Sequence, residues 1–258
     1  MTTVSVAIIA SNEQEVLPVT LECVAGLGPL VSEVVIVDGF SSDCTHNLAM
    51  QFLDRFPISI YLRKFDDFAN QKNYALARCH GDWILALDAD MAFNAINLKR
   101  HFERGFFDSA KVWDFKLLYA YGDLRHYHAP SGIGPTTRLF RNFLGIHYER
   151  PVHEFLCFPS EHERLDLYRD KRHNDTANIC IIETSMLKSD RALIERVERY
   201  QQWSDEASRA GGMVPTMDNA RYVICNRWRD AEEIPEWILM DVPKSAFDYP
   251  LAKGYPKC

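Results

Sequence analysis

The first third of the chain alternates short, nearly continuous apolar runs with stretches of mixed polarity. Residues 4–10, V-S-V-A-I-I-A, are mostly β-branched and apolar, which predicts a strand covered on both faces, as in a parallel sheet. Ser11 or Asn12 starts the next helix, with Glu13 and Glu15 in its favourable first turn. Val16, Val19, Leu21 and Val24 form its inner face, and Gly26 and Gly28 stop it. E-V-V-I-V-D, 33–38, predicts a second strand. Ser41 or Ser42 then caps a helix that buries Leu48, Phe52 and Leu53 until Pro57 breaks it. A third strand is expected over 58–62, a helix over 69–78, a turn at Gly81 and a fourth strand over 83–87. Such β-α-β alternation predicts a parallel sheet that binds its ligand at the carboxyl ends of the strands.

A helix over 97–107 and a strand over 112–119 extend this order. Residues 122–158 change character: short strand-like pieces lie among glycines, prolines and four histidines, and read as a sheet extension with loops. A strand is expected over 178–182. The clearest late helix starts at 189 and runs to about 210, with Ile194, Val197, Tyr200, Trp203 and Ala207 at spacings of three and four and Gly211-Gly212 at its end. Glu195 and Arg199 make a favourable i,i+4 pair within it. Pro243, Pro250 and Pro256 predict a tail extended over the surface. No internal repeat or low-complexity tract divides the chain.

At 258 residues the chain can bury a full core, and 47% apolar with 25% charged residues is ordinary for a soluble globular protein. A net charge of −7 argues weakly against a duplex nucleic acid or an anionic membrane held by charge alone. The start lacks a basic n-region, and no run approaches the roughly 18 apolar residues of a membrane-spanning helix, so a cytoplasmic protein is expected, with peripheral membrane contact left open. The seven cysteines are odd in number, scattered and free of any C-x-x-C, which speaks for reduced thiols rather than zinc or a disulfide framework.

The candidate chemistry gathers at the predicted strand ends. A lone D-x-D means little, because 20 aspartates in this chain yield roughly one to two by chance. Asp88-Ala89-Asp90, however, directly follows an apolar strand. Asp90 is then expected to ligate Mg²⁺ or Mn²⁺, and Asp88 to meet the metal shell or a ribose; the alternative is a pair of solvated aspartates capping the next helix. The turn Asn12-Glu13 falls at the end of the first strand, where Asn12 is expected at the nucleotide and Glu13 serves either a nucleotide or the first turn of a helix. Ala10 is small enough for a flat base to approach the backbone. Asp38 ends the second strand and suits a base N–H or a ribose hydroxyl, while Asp43 reads as a cap of the next helix. Lys72 serves a phosphate or solvent equally well. Arg138 and Arg141 are candidates to neutralise a diphosphate, although a regular strand points residues three apart to opposite faces. In Y-E-R-P-V-H-E-F, 148–155, Glu154 is the choice for the base that takes a proton from an attacking hydroxyl. His153 completes the metal shell, touches phosphate, or is structural. His126 and His128 alternate as on a strand without a visible partner.

Taken in order, these segments resemble the family 2 glycosyltransferases, which have the GT-A fold. S-V-A-I-I-A-S-N-E is similar to that family's first strand and N-E turn, and V-I-V-D-G-F-S-S-D-C-T to its V-D-x-x-S-x-D-x-T signature. The run D-F-A-N-Q-K-N-Y-A-L…G-D-W-I-L-A-L-D-A-D, with R-L-F-R and V-H-E further on, resembles the subgroup of lipopolysaccharide-core sugar transferases. The resemblance implies an α/β fold with a largely parallel central sheet, helices on both faces and a C-terminal helical extension. It implies inverting transfer of a sugar from a nucleoside-diphosphate donor to a hydroxyl of a glycan, a lipid-linked or another acceptor, with Mn²⁺ or Mg²⁺ on the diphosphate. By it Glu13 and Asp38 contact the nucleotide, Asp88 and Asp90 serve ribose and metal, and His153 and Glu154 belong to the active site. Residues 1–120 then form the nucleotide-sugar half, 121–188 the acceptor-side half, and 189–258 a helix and tail. The chain departs from the pattern at Phe40, larger than usual in the base region, and at Glu183, where the subgroup often carries a histidine. A sugar-1-phosphate nucleotidyltransferase, which wants a glycine-rich loop after the first strand, and a non-catalytic glycan-binding module are the competing readings.

Overall fold

The computed structural model describes residues 2–132, 134–142, 145–157, 178–201, 217–225 and 228–250. Strand β1 (Val4–Ala10) is buried along its whole length, and this follows from its place at the centre of a parallel group. Helix α1 (Leu17–Gly26) leads to β2 (Val31–Asp38), α2 (Thr45–Met50) to β3 (Ile58–Leu62), and α3 (Phe68–Leu76) to β4 (Trp83–Asp88). The strands run in the order β3-β2-β1-β4, all parallel. Val6 and Ile8 of β1 share one core cluster with Leu17 and Leu21 of α1, while Ala7 and Ile9 share the other with Ala69 and Ala75 of α3. Each fully buried leucine or isoleucine here contributes about 1.5–3 kcal/mol. Register decides the rest: Ile9 pairs with Asp88 and Ala10 with Asp38, so the acidic strand ends share one rim.

Beyond β4 the chain makes β5 (Met91–Phe93), α4 (Ala95–Glu103), β6 (Val112–Tyr121), β7 (Asp123–His128) and β8 (Gly134–Arg141). β8 lies antiparallel between β4 and β6, and β7 continues the sheet outward. Strands β9 (His147–Glu149) and β10 (Phe155–Cys157) form a separate hairpin. Strand β11 (Cys180–Glu183) then inserts parallel to β6 and antiparallel to β5, so that Glu183 lies opposite Met91. Helices α5 (Asp190–Gln201) and α6 (Met217–Cys225), strand β12 (Ala231–Glu233) at the β7 edge, and α7 (Glu236–Leu239) complete the described chain. No helix among the described residues is long and apolar enough to cross a membrane.

Four expectations are corrected. Helix α1 starts at Leu17 instead of at Ser11 or Asn12, because Asn12 sits at φ 55° and Glu15 turns away to receive Ser189. Helix α2 starts at Thr45; Asp43 Oδ1, rather than Ser41 or Ser42, accepts the Thr45 N–H at 2.9 Å. Leu53 is exposed, since the helix gives way to turns after Met50 and only Phe52 and Phe56 reach the core. The tail over 228–250 is not laid over the surface: Ile234, Ile238, Val242 and Ala246 are buried in the main core. Pro243 comes so close to α1 that a Cβ on Gly26 would lie 2.6 Å from its Cγ, so glycine at 26 is what admits the tail. In α5, Glu195 pairs with Arg191 at 2.7 Å; the Arg199 side chain, Trp203, Ala207 and the Gly211-Gly212 stop lie outside the described residues. Six cysteines are free thiols, and Cys258 also lies outside the described set.

Candidate active site

The turn Asp88-Ala89-Asp90 is fixed from behind by Thr20 of α1. Its hydroxyl donates to Ala89 O at 2.7 Å and accepts the Met91 N–H at 3.1 Å. This sends the two carboxylates into different company. Asp88 Oδ1 meets Lys72 Nζ at 2.8 Å, and Oδ2 meets an Arg138 guanidinium nitrogen at 3.2 Å. Lys72, buried on α3, also reaches Glu154 Oε1 at 2.5 Å. One ammonium thus bridges the strand-end aspartate and the carboxylate of the V-H-E segment. Burial alone would raise the proton affinity of Asp88; Lys72 and Arg138 outweigh it and hold the carboxyl well below its usual range. For Lys72 the same pairing overcomes burial in the other direction, and its ammonium is held more firmly than an ordinary lysine's.

The segment bearing Glu154 is itself clamped. Asn73 of α3 donates to Tyr148 O at 2.8 Å and accepts the Tyr148 N–H at 2.7 Å, and Phe68 N–H donates to Pro151 O at 3.0 Å. These bonds seat the β9–β10 region on α3. Glu154 Oε1 is taken by Lys72, while Oε2 has no protein partner among the described residues.

Asp90 faces a different neighbourhood. Its backbone oxygen accepts from Thr184 N at 2.7 Å and from the Thr184 hydroxyl at 2.9 Å, which brings Glu183 alongside. Lys188, buried, stands 3.3 Å from Asp90 Oδ2 and 2.6 Å from Glu13 Oε2. Glu183 receives the Ser185 hydroxyl at 2.7 Å and has Arg196 at 3.9 Å. Burial, reinforced by the Asp90 charge, pushes the Glu183 carboxyl up. Burial also pushes Glu13 up, against the pull of Lys188.

A cavity of about 780 Å³ opens at this rim. Ala10, Glu13, Asp88, Asp90, Arg138, His153, Glu154 and Glu183 lie on its wall. Lys72 and Asp38 sit behind the wall; Asp38 Oδ1 accepts Ser41 N–H at 2.8 Å and the Ser41 hydroxyl at 2.7 Å. Two predicted residues do not reach it. Asn12 is a latch between loops: its N–H donates to Ser41 Oγ at 2.8 Å and its Oδ1 accepts Ser42 N–H at 2.8 Å. Arg141 pairs with Asp108 at 2.7 Å and lies over the Trp83 ring at 4.2 Å. The reason is register: β8 runs antiparallel to β4 with Arg141 opposite Trp83, so each step from 138 to 141 leads away from Asp88.

Among the described residues no three histidine, cysteine or acidic groups converge on one point, so His153 does not join Asp90 in a preformed cage. It lies on the cavity wall, exposed, at φ 53°. Asp88 has both oxygens spent on cations. Asp90 Oδ1 and Glu183 Oε2 have no protein partner among the described residues, and as hard donors on the cavity wall they fit Mg²⁺ or Mn²⁺ with further ligands from phosphate and water. Sequence reasoning missed Lys188, Thr20 and the clamp by Asn73. Each acts across about 70 residues of sequence or more, so only the packed fold reveals it.

Among solved structures the fold resembles TarS of S. aureus, residues 1–349, in complex with UDP, with a TM-score of 0.51 and 14% identity over 86% of this chain and 70% of that one. The UDP-GlcNAc complex of the same protein gives a TM-score of 0.50, 15% identity, and coverage of 88% and 72%. A TPR repeat-containing protein of Synechococcus elongatus is 31% identical over 160 residues, 60% of this chain and 36% of that protein. The lipopolysaccharide core biosynthesis glycosyltransferase LpsC of Rhizobium meliloti is 34% identical over 87 residues, 33% of this chain and 31% of that protein. The chain thus spans about a third of the length of the curated relatives it matches. Residues 5–165, more than half of the chain, match the model of glycosyl transferase family 2, and with the GT-A arrangement of its sheet the chain belongs to that family.

Proposed function

We propose that the protein moves a sugar from a nucleoside-diphosphate donor to an acceptor hydroxyl with inversion, and that a divalent cation assists. The observation that carries this is the bridge Asp88–Lys72–Glu154, set with Arg138 in the wall of a cavity whose other side bears Asp90 and Glu183. Glu154 Oε2 takes the proton as the acceptor oxygen attacks the anomeric carbon; the bond from that carbon to the diphosphate breaks, and its electron pair leaves with the diphosphate. Lys72 holds Glu154 in place through Oε1. Arg138 lies on the wall to meet the departing charge. Asp90 and Glu183 would hold the cation, which supplies positive charge beside the diphosphate. TarS is bound to UDP and to UDP-GlcNAc, which makes a uridine donor the first to try. The lipopolysaccharide-core name of LpsC favours a glycan or lipid-linked acceptor.

The nucleotidyltransferase reading loses ground on a specific point. The backbone N–H groups after β1, which a phosphate loop would offer, are spent: Asn12 donates to Ser41, Glu13 to Thr45 and Gln14 to Asp43, at 2.8, 2.7 and 3.1 Å. The test is a thermal-shift panel of UDP-, GDP-, dTDP- and CMP-sugars with and without Mn²⁺, on the wild type and on Asp90→Ala. One donor class should raise the melting temperature in a metal-dependent way that Asp90→Ala abolishes. A wild type that responds to none of them would count against the transferase and favour a binding module for other ligands.

A further inference from the structure

Phe40 combines two unfavourable features. Its φ is 61°, in the left-handed region that a bulky side chain avoids, and its ring is 60% exposed. The loop around it is nevertheless bolted down. Gly39 N–H donates to Ala10 O at 2.8 Å, and Ser41 is held by Asp38 through both its N–H and its hydroxyl. Asn12 fastens the next residue by accepting Ser42 N–H at 2.8 Å. Glycine at 39 lets the loop lie against Ser11, whose Cβ would be 3.2 Å from an added Cβ. A bolted loop that presents a strained, exposed aromatic ring is the signature of a residue kept for a ligand.

The ring lies on the wall of the same 780 Å³ cavity as the candidate catalytic groups, a wall to which Ala10, Gly39, Phe65 and Phe68 also contribute. Ala10 and Gly39 offer a floor almost free of side chains. Phe65 and Phe68 pack edge to face at 4.9 Å. Asp38 ends β2 behind this floor, and its Oδ2 has no protein partner among the described residues. In the sheet, β2 is two strand spacings from β4, about 10 Å. That matches the reach of a nucleoside from its base to its phosphates, with Asp90 at the phosphate end.

We infer that Phe40 is the face on which the donor's nucleobase stacks, and so a determinant of how tightly the nucleoside is held relative to the diphosphate. The inference rests on the nucleotide-sugar reading above and deepens it. Stacking is sequence-tolerant, so the ring sets affinity for a base as such.

The experiment is calorimetric titration, in Mn²⁺, of wild type, Phe40→Gly and Phe40→Tyr with UDP and with inorganic pyrophosphate as a probe without a base. Glycine is at ease at this φ, so the first variant should melt no lower than wild type, which guards the reading against misfolding. UDP should bind Phe40→Gly about 10-fold more weakly, pyrophosphate should be unaffected, and Phe40→Tyr should restore UDP binding. UDP affinity unchanged in Phe40→Gly, or UDP and pyrophosphate weakened alike, would overturn the assignment while leaving the transferase reading intact. Failure of the unsubstituted protein to bind UDP, GDP, dTDP or CMP would sink both, and shows in the wild type alone.

Discussion

The two sides of the cavity treat their carboxylates in opposite ways. On the β8 side, Asp88 meets the buried Lys72 and the half-buried Arg138, Glu154 meets Lys72, and the Asp88 carboxyl is held low. On the β11 side, Glu13 and Asp90 share Lys188, Glu183 has only Arg196 at 3.9 Å, and the Glu13 and Glu183 carboxyls are pushed up. The first side is electrostatically closed and holds its groups in fixed geometry. The second is short of positive charge in a cavity wall, which is where an incoming divalent cation gains most. Two carboxylates only two residues apart in sequence are thereby given separate tasks by their surroundings.

The largest effect that would test this division is on turnover. Glu154→Gln keeps the shape and the Lys72 contact but cannot take a proton, so sugar transfer should fall by about 10²–10⁴-fold while UDP binding in the thermal-shift assay is retained. Undiminished transfer would move the base elsewhere on the wall. Next comes Lys72→Met, which removes the buried ammonium and leaves the half-buried Asp88 and Glu154 without it. Removing one partner of such a network costs about 3–5 kcal/mol, read as a lower midpoint in urea unfolding. A loss below about 1 kcal/mol would mean that the closed side is not closed.

Arg138 and Arg141 give a smaller and sharper contrast. Arg138→Gln should impair transfer without the loss of stability that Lys72→Met brings, because Lys72 still holds Asp88. Arg141→Gln should leave transfer unchanged and lower stability by about 1 kcal/mol, the worth of a partly exposed ion pair and a ring contact. Equal loss of activity in both would break the register argument.

This pair also shows what the sequence makes legible. The parallel half was readable because each strand is a short β-branched apolar run and each ends in a polar turn, so residues near one another in sequence already define the rim. Asp88 and Asp90 gained meaning from the strand before them. Arg141 was misread because R-L-F-R looks the same whichever strand it pairs with, and only the antiparallel register with β4 sends it to the far end. Lys188 carried no local signal: its partners lie at positions 13 and 90 and meet it only through the β11–β5 pairing. The tail was misread because its prolines suggested an exposed strap, whereas Ile234, Ile238 and Val242 recur every four residues and bury one face in the core.

The smallest expected effect separates the two sides by pH. The Glu183 carboxyl is raised above its ordinary 4.5 in the folded protein, chiefly by burial and then by Asp90. Below 4.5 both folded and unfolded chains hold that proton, and Glu183 contributes no pH dependence. Between 4.5 and its raised value the unfolded chain releases the proton and the folded chain keeps it, so stability falls as pH rises; above the raised value the penalty is complete. Glu183→Gln removes the titrating group. In EDTA the variant should therefore melt above the wild type at neutral pH, with a gap that narrows steadily toward pH 4.5. Asp88 cannot produce this trend, because a depressed carboxyl adds stability above its ordinary value and loses it only as pH falls. Mn²⁺ with UDP should invert the order, since the wild type keeps a ligand that the variant has lost. A gap independent of pH, or one that widens in acid, would show that Glu183 is already compensated and that the charge-poor side is not the place for the cation.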